Sequence, residues 1–109
     1  FWRDARTVFS IHNLAYQGNF DAGELPQMGF GGETERNAFL LDGYASALKA
    51  GLSASDMLST VSRTYAREIQ TPENGCGLNW LLRARSSRLF GITNGVDYEV
   101  WNPETDPEI

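Results

Sequence analysis

The residues in this sequence best suited to chemistry are His12 and Asn13, an imidazole and an amide that directly follow an apolar run. Residues 7–11 combine β-branched and aromatic side chains and have the composition of a short buried strand, and Gly18 closes the loop that follows. A titratable ring and an amide therefore stand at the carboxyl end of a predicted strand. In open parallel sheets, ligands bind in the crevice outside these ends, so this position favours contact with a substrate.

No complete catalytic set accompanies His12 in the sequence. It lacks a Cys or Ser nucleophile motif, and a single His with scattered carboxylates has no metal-ligand spacing, so no metal is predicted. The glycines of residues 29–32 match neither phosphate-loop spacing and no Lys follows them, so no cofactor is predicted either. Ser10, Thr60 and Ser62 are explained by strand and cap positions. From the residues alone, a structural and a catalytic role for His12 both stay open.

The elements that must position these residues are expected in the order strand, helix, strand, helix, helix, strand. The predicted elements are a strand over 6–11, a helix from Thr34 to Gly51, a strand over 56–61, a helix over 63–70 capped by Ser62, a helix that includes 78–82 and a strand over 89–93. Connections of this length exclude tight hairpins, so we expect parallel strands. The predicted fold class is α/β, a partial Rossmann-like, doubly wound parallel sheet.

Two stretches carry specific expectations about local structure. Leu40, Tyr44 and Leu48 recur at helical spacing and predict one apolar helix face, although Gly43 inside that helix costs about 1 kcal/mol relative to Ala. Asn94 and the Gly that follows it could form a hairpin turn as readily as a loop. The residues after Asp97 are not strand-like, so we expect a loop at the end of a parallel strand.

Composition excludes several classes of function. The chain has 109 residues and a net charge of -5, and its Lys and Arg residues form no long run, so nucleic acid is not an expected partner. The nearest approach to a cluster, Arg83, Arg85 and Arg88, is interpreted as favourable charge near a helix C-terminus. No window approaches the ~20 apolar residues of a membrane span. Cys76 is the single cysteine and is expected to be a buried thiol in a reducing compartment.

Three motifs resemble one family, the bacterial glycogen synthases and plant starch synthases. Residues 10–18, Ser-Ile-His-Asn-Leu-Ala-Tyr-Gln-Gly, look like a motif of the family's N-terminal domain. Residues 60–69 are similar to Thr-Val-Ser-Pro-Thr-Tyr-Ala-Arg-Glu-Ile, with Arg63 in place of the Pro. Residues 89–106 resemble the family's Asn-Gly-Ile-Asp and Trp-Asn-Pro segment. The motifs stand in the family's order and extend over most of the chain.

This resemblance implies a function and a set of site residues. Such synthases transfer glucose from ADP-glucose to the non-reducing end of an α-1,4-glucan, with retention of configuration, in a cleft between two Rossmann-like domains of the GT-B type. The resemblance makes His12 a catalytic candidate in the sugar pocket and Asn13 and Asn94 substrate-binding candidates. Tyr16 and Gln17 are further substrate-binding candidates.

The resemblance also implies that the chain is a piece of a longer protein. Residues 1–109 would be part of the N-terminal domain, and the C-terminal nucleotide-binding domain would lie outside it. We expect no transferase activity from this piece alone, and a location in bacterial cytoplasm, or in a plastid for a starch synthase. Two alternatives are a non-catalytic half-domain that binds α-glucan and a purely structural α/β domain.

Overall fold

The computed structural model describes residues 4–108. Its strands are β1 (Val8–Ile11), β2 (Asn19–Phe20), β3 (Leu40–Leu41), β4 (Tyr44–Ser46), β5 (Met57–Thr60) and β6 (Leu89–Gly91). Its α-helices are α1 (Glu33–Phe39), α2 (Ala47–Ala54), α3 (Arg63–Glu68) and α4 (Asn79–Ala84), and short 3-10 turns lie at Ala22–Glu24 and Ser86–Arg88. No helix in this part of the chain is long and apolar enough to cross a membrane.

A parallel sheet of order β1-β5-β6 forms the centre of the fold and confirms the predicted α/β class. Ile11 pairs with Thr60, and Thr60 pairs with Gly91, so the three strands end side by side. The core beside the sheet contains the fully buried side chains of Leu52, Leu58 and others. These core residues are Ile11, Leu14, Leu48, Leu52, Leu58, Ala66, Ile69, Leu78, Leu82 and Leu89.

The predicted continuous helix from Thr34 to Gly51 is wrong, because a β-hairpin divides it into α1 and α2. Asp42 and Gly43 form the turn of this hairpin with φ values of 51° and 84°. Two consecutive positive φ values are the requirement of a type I′ turn, and Asp-Gly is one of its favoured sequences. The helical spacing of the apolar residues was misleading, since β3 and β4 lie in the middle of it.

The hairpin belongs to a second, antiparallel sheet of order β2-β4-β3, which the sequence did not predict. Ser46 joins this sheet to α2, because it is the last residue of β4 and also the N-cap of the helix. Its buried hydroxyl accepts from Lys49 N–H at 3.1 Å and donates to the Gln17 carbonyl at 3.0 Å. The small sheet is thereby fixed to the loop that leaves β1.

Gly51 lies inside α2 and does not terminate it, contrary to the expectation. A Cβ at this position would lie 2.2 Å from Cε2 of Phe9, on the neighbouring strand β1. The missing side chain therefore lets the aromatic ring pack directly on the helix backbone. The helix continues to Ala54.

The Ser62 cap of α3 is confirmed, and its hydroxyl accepts from Tyr65 N–H at 2.9 Å. The helix ends at Glu68, two residues before its predicted end. Strand β6 is likewise shorter than predicted and ends at Gly91. Boundary differences of this size are common because terminal turns and strand ends lose hydrogen-bond partners gradually.

Arg83, in the last turn of α4, and Arg85, directly after that helix, contact the carboxyl ends of neighbouring helices, in agreement with their interpretation as charges near a helix C-terminus. Arg85 donates to carbonyl oxygens at the end of α2, including that of Ser55 at 2.6 Å. Arg83 donates to the Gln70 carbonyl, just beyond α3, at 2.9 Å. Cationic donors at these positions satisfy carbonyls that have no partner within their own helix.

The expectation of a buried thiol at Cys76 is wrong, because Cys76 is exposed. It lies in the turn between α3 and α4 and has a φ of 49°, followed by 80° at Gly77. A side chain in such a left-handed surface turn lies outside the packed layers. The prediction of burial rested on the lack of sequence neighbours that would activate the thiol, and the position of Cys76 in this surface turn leaves its side chain exposed.

Candidate functional site

A cavity of about 330 Å³ lies at the carboxyl edge of the parallel sheet. It opens where β1, β5 and β6 end side by side, next to the segment that follows β6. Its lining residues are Ser10, Ile11, His12, Ser59, Thr60, Val61, Ile92, Thr93, Asn94 and Gly95. The edge at which parallel strands end is the usual place for a ligand in open α/β sheets.

His12 is exposed at this edge and is held by the buried end of β1. Ile11, directly before it, is 1% exposed, and its carbonyl accepts a hydrogen bond from the Thr60 hydroxyl at 2.8 Å. The backbone on which the imidazole stands is thus fixed by packing and by a cross-strand hydrogen bond. The ring itself is free to contact a ligand in the cavity.

Asn94 reaches the same cavity from the segment that follows β6. Ile92 N–H donates to the Thr60 carbonyl at 2.8 Å, so the chain stays attached to β5 for one residue beyond the strand. Asn94 and Gly95 belong to an irregular segment rather than to a hairpin, which confirms the loop interpretation. After this segment, Trp101 N–H donates to the Asp97 carbonyl and closes the expected short turn.

The structure brings His12 and Asn94 to one cavity but places the other three candidates beside it. The Asn13 side-chain oxygen accepts from Ala15 N–H at 3.0 Å within its own loop. Tyr16 is 79% exposed, and Gln17 uses its side-chain amide to donate to the Cys76 carbonyl at 2.8 Å. None of the three lines the cavity. They form the outer part of the loop that carries the imidazole.

Four hydroxyl residues of the cavity, Ser10, Ser59, Thr60 and Thr93, were not among the candidates. Ser10 and Ser59 are register partners on β1 and β5, and their hydroxyl oxygens lie 2.8 Å apart. Thr93 lines the cavity from the segment after β6. The signal was available in part, because Ser10 precedes its predicted strand end by one residue and Ser59 precedes its own by two. Only the register between the two strands shows that they are neighbours.

The chemistry of the lining suits a neutral ligand that is rich in hydroxyl groups. His12 is the single titratable side chain among the described residues that line the cavity. Hydroxyls, one amide and one imidazole supply both donors and acceptors. Within residues 4–108, no three His, Cys, Asp or Glu side chains lie close enough together to hold a metal ion.

Comparison with known proteins relates the whole chain to one family. Residues 1–84 match the family described as the starch synthase catalytic domain. The chain is 52% identical over 109 residues to the glycogen synthase of Clostridium kluyveri, an alignment that covers 97% of this chain and 23% of that protein. It is 49% identical over 110 residues to the glycogen synthase of Desulforudis audaxviator, an alignment that covers 100% of this chain and 22% of that protein.

A solved structure supports the same relationship. The catalytic domain of starch synthase IV from Arabidopsis thaliana, bound to ADP and acarbose, matches with a TM-score of 0.71 and 34% identity, over 94% of this chain and 22% of that one. The chain therefore spans less than a quarter of the length of these relatives. Sequence and fold together show that the chain belongs to the starch synthase catalytic domain family.

Proposed function

We propose that this chain forms the sugar pocket of an ADP-glucose-dependent glycogen or starch synthase. In this proposal it is part of the N-terminal domain of a two-domain GT-B glycosyltransferase that extends an α-1,4-glucan at its non-reducing end and retains configuration. The observation that carries the proposal is the meeting of His12 and Asn94 in one cavity at the carboxyl edge of the parallel sheet. Bacterial relatives named glycogen synthase support it and favour a bacterial cytoplasmic location.

The lining of the cavity fits the demands of glucosyl transfer. Breaking the anomeric bond develops positive charge on the sugar ring and negative charge on the departing diphosphate. Polar groups that hold the sugar hydroxyls in a fixed orientation lower the barrier, because they align the anomeric carbon with the attacking glucan. His12 and Asn94 are suited to this task by their type and position. We assign Asn13, Tyr16 and Gln17 to the periphery of the same pocket.

The proposal assigns the contacts with the diphosphate to other parts of the synthase. No Lys or Arg lines the cavity among the described residues, whereas a departing diphosphate requires cations. The structural relative, which is more than four times as long as the matched segment, was solved with ADP. A nucleotide-binding domain outside this chain is therefore part of the proposal.

The decisive experiment replaces His12 by Ala in the complete synthase that contains this chain. We expect turnover with ADP-glucose and a maltooligosaccharide to fall by about a hundredfold or more, the scale seen when a transition-state contact is removed. Because His12 is exposed, the unfolding midpoint should be unchanged. Gln27→Ala, an exposed substitution outside the cavity, is the matched control and should retain full turnover. Unchanged turnover in His12→Ala would contradict the proposal.

Asn94→Ala tests the second side chain of the pocket. If the amide holds a sugar hydroxyl in both the ground state and the transition state, the KM should rise with a smaller change in kcat. Steady-state kinetics with ADP-glucose and with the glucan varied in turn would show which substrate the amide contacts. Kinetic constants equal to those of the unmodified enzyme would remove Asn94 from the pocket.

A further inference from the structure

We propose that Tyr65 is a positioning residue for His12, acting through the backbone of the loop that carries the imidazole. This inference rests on the proposed function, because it concerns the same pocket. Tyr65 lies on α3 and is not among the residues that line the cavity. Its hydroxyl instead accepts a hydrogen bond from Leu14 N–H at 3.1 Å.

The contact lies at a buried residue of the loop between β1 and β2. Leu14 stands two residues after His12, and its side chain is fully buried with 0% exposure. The buried side chain fixes the depth of the loop in the core, and the hydrogen bond from Leu14 N–H fixes its rotation relative to α3. His12 lies between this point and Ile11, the buried end of β1. The imidazole is therefore carried by a short segment held at both sides.

The tyrosine is itself held in place by the start of its helix. Tyr65 N–H donates to the hydroxyl of Ser62 at 2.9 Å, and Ser62 is the N-cap of α3. Ser62 follows β5 by two residues, so the helix start is connected to the central strand of the sheet. The position of the hydroxyl is thus set by the same sheet that forms the floor of the cavity.

The far end of the loop is held by different contacts. Gln17 donates its side-chain amide to the Cys76 carbonyl at 2.8 Å, and its own carbonyl accepts from Leu48 N–H at 3.1 Å. These contacts lie five residues from His12 and fix the point at which the chain enters the second sheet. In the first half of the loop, the hydrogen bonds of Asn13 to Ala15 and Tyr16 stay within the loop, whereas Tyr65 supplies a hydrogen bond that joins it to α3.

Tyr65→Phe in the complete synthase removes only the hydroxyl and tests the proposal directly. Leu14 N–H loses its acceptor, so the backbone next to His12 is expected to shift. A displacement of about 1 Å near the reacting groups lowers turnover by roughly tenfold to a hundredfold. We expect this loss in kcat, with a smaller change in KM. Tyr44→Phe is the matched control, because Tyr44 is 61% exposed and lies outside the cavity.

A double-mutant cycle separates positioning from general stabilisation. If Tyr65 acts through His12, then Tyr65→Phe should cause little further loss once His12 has been replaced by Ala. If Tyr65→Phe lowers turnover by the same factor with and without His12→Ala, the proposal is contradicted. If His12→Ala alone leaves turnover unchanged, the proposed function fails first, and the two failures are therefore distinguishable.

Hydrogen exchange supplies a readout that does not depend on activity. The Leu14 amide should exchange faster in Tyr65→Phe, while the amide of Leu58 in the central strand should keep its protection. Unchanged protection at Leu14 would overturn the proposal. So would failure of Tyr65→Phe to fold, since a hydroxyl that positions one loop is not required for the fold.

Discussion

The hydroxyl of Thr60 donates a hydrogen bond to the carbonyl of Ile11 over 2.8 Å, and these two residues are register partners at the ends of adjacent parallel strands. Thr60 is 4% exposed and Ile11 1%. The bond therefore joins β1 to β5 at the last buried position before His12. Its loss should affect stability and the edge of the sheet that carries the candidate site.

Thr60→Val tests this bond with little change in shape. We expect the free energy of unfolding to fall by about 1 to 3 kcal/mol, because the carbonyl of the buried Ile11 loses its side-chain donor. Denaturant unfolding of both proteins would measure the difference. The same substitution at Thr64, which is exposed on α3, is the control and should change stability by less than about 0.5 kcal/mol. Equal effects at the two positions would show that the bond contributes nothing.

Gly91→Ala should destabilise the protein because the backbone of another element lies too close. A Cβ at Gly91 would lie 2.3 Å from the Ser62 carbonyl oxygen and 2.5 Å from the Arg63 nitrogen. Backbone atoms cannot rotate away, so we expect a loss of about 1 to 3 kcal/mol in the free energy of unfolding. Gly95→Ala is the matched control, since nothing lies within 4 Å of its Cβ position. A stable Gly91→Ala protein with an unchanged unfolding midpoint would contradict this close packing.

Arg63→Pro should stabilise the protein. Arg63 is the first residue of α3, where the family motif carries Pro and where a backbone N–H has no partner within the helix. Ser62 already has the extended conformation that a residue before Pro requires, with φ of -162° and ψ of 160°. We expect a gain of about 0.4 to 1 kcal/mol through a less flexible unfolded chain, measured by thermal or denaturant unfolding. A lower unfolding midpoint would show that the ring clashes with β6.

Asp56 should make stability depend on pH in the acid range. Thr7 donates to its carboxylate from the backbone N–H at 2.7 Å and from the hydroxyl at 3.0 Å, and Arg6 lies nearby. These hydrogen bonds, and then the positive charges of Arg6 and Arg88, hold the pKa of Asp56 below its usual 3.8. A carboxyl whose pKa is lower in the folded state than in the unfolded chain stabilises the fold at pH values above its unfolded pKa. That contribution is lost as pH falls through the folded pKa.

The corresponding measurement compares the unfolding midpoint of Asp56→Asn with that of the unmodified chain between about pH 6 and pH 2. The unmodified chain should lose stability more steeply below about pH 4, because only the unmodified chain has a carboxylate at position 56 that can be protonated there. Asp4→Asn removes one negative charge at an exposed position and controls for net charge. Parallel curves for Asp56→Asn and the unmodified chain would contradict the assignment.

The parallel sheet could be predicted because its signals are local. Each of its strands combines a short β-branched or apolar run with a polar residue at its carboxyl end, and Ser62 marks the start of the next helix. The division of the predicted long helix could not be obtained from periodicity, because Leu40, Tyr44 and Leu48 fit a helix as well as they fit a hairpin followed by a helix. The Asp-Gly pair at residues 42–43 was the deciding signal, since its turn geometry outweighs the apolar spacing.

The candidate site could be predicted from the sequence only as far as the ends of the strands could be predicted. His12 and Asn94 follow strands, and parallel pairing brings their ends together. The role of Tyr65 could not be read from its position on an apolar helix face, because its hydroxyl contacts a residue 51 positions away. The side chain of Gln17 is engaged by a carbonyl 59 positions away for the same reason. Such contacts depend on how the layers pack, which no local pattern encodes.

The parallel register also determines the order in which the chain can fold during synthesis. Leu41 and Tyr44 pair across a two-residue turn, so the hairpin can close within about 1 to 10 μs once both strands have left the ribosome. Val8 pairs with Met57, 49 residues later, and at about 5 to 20 residues per second that partner emerges roughly 2 to 10 s after β1. Throughout this interval β1 lacks its partner strand β5. His12 therefore reaches its place in the pocket only after most of this chain has been translated.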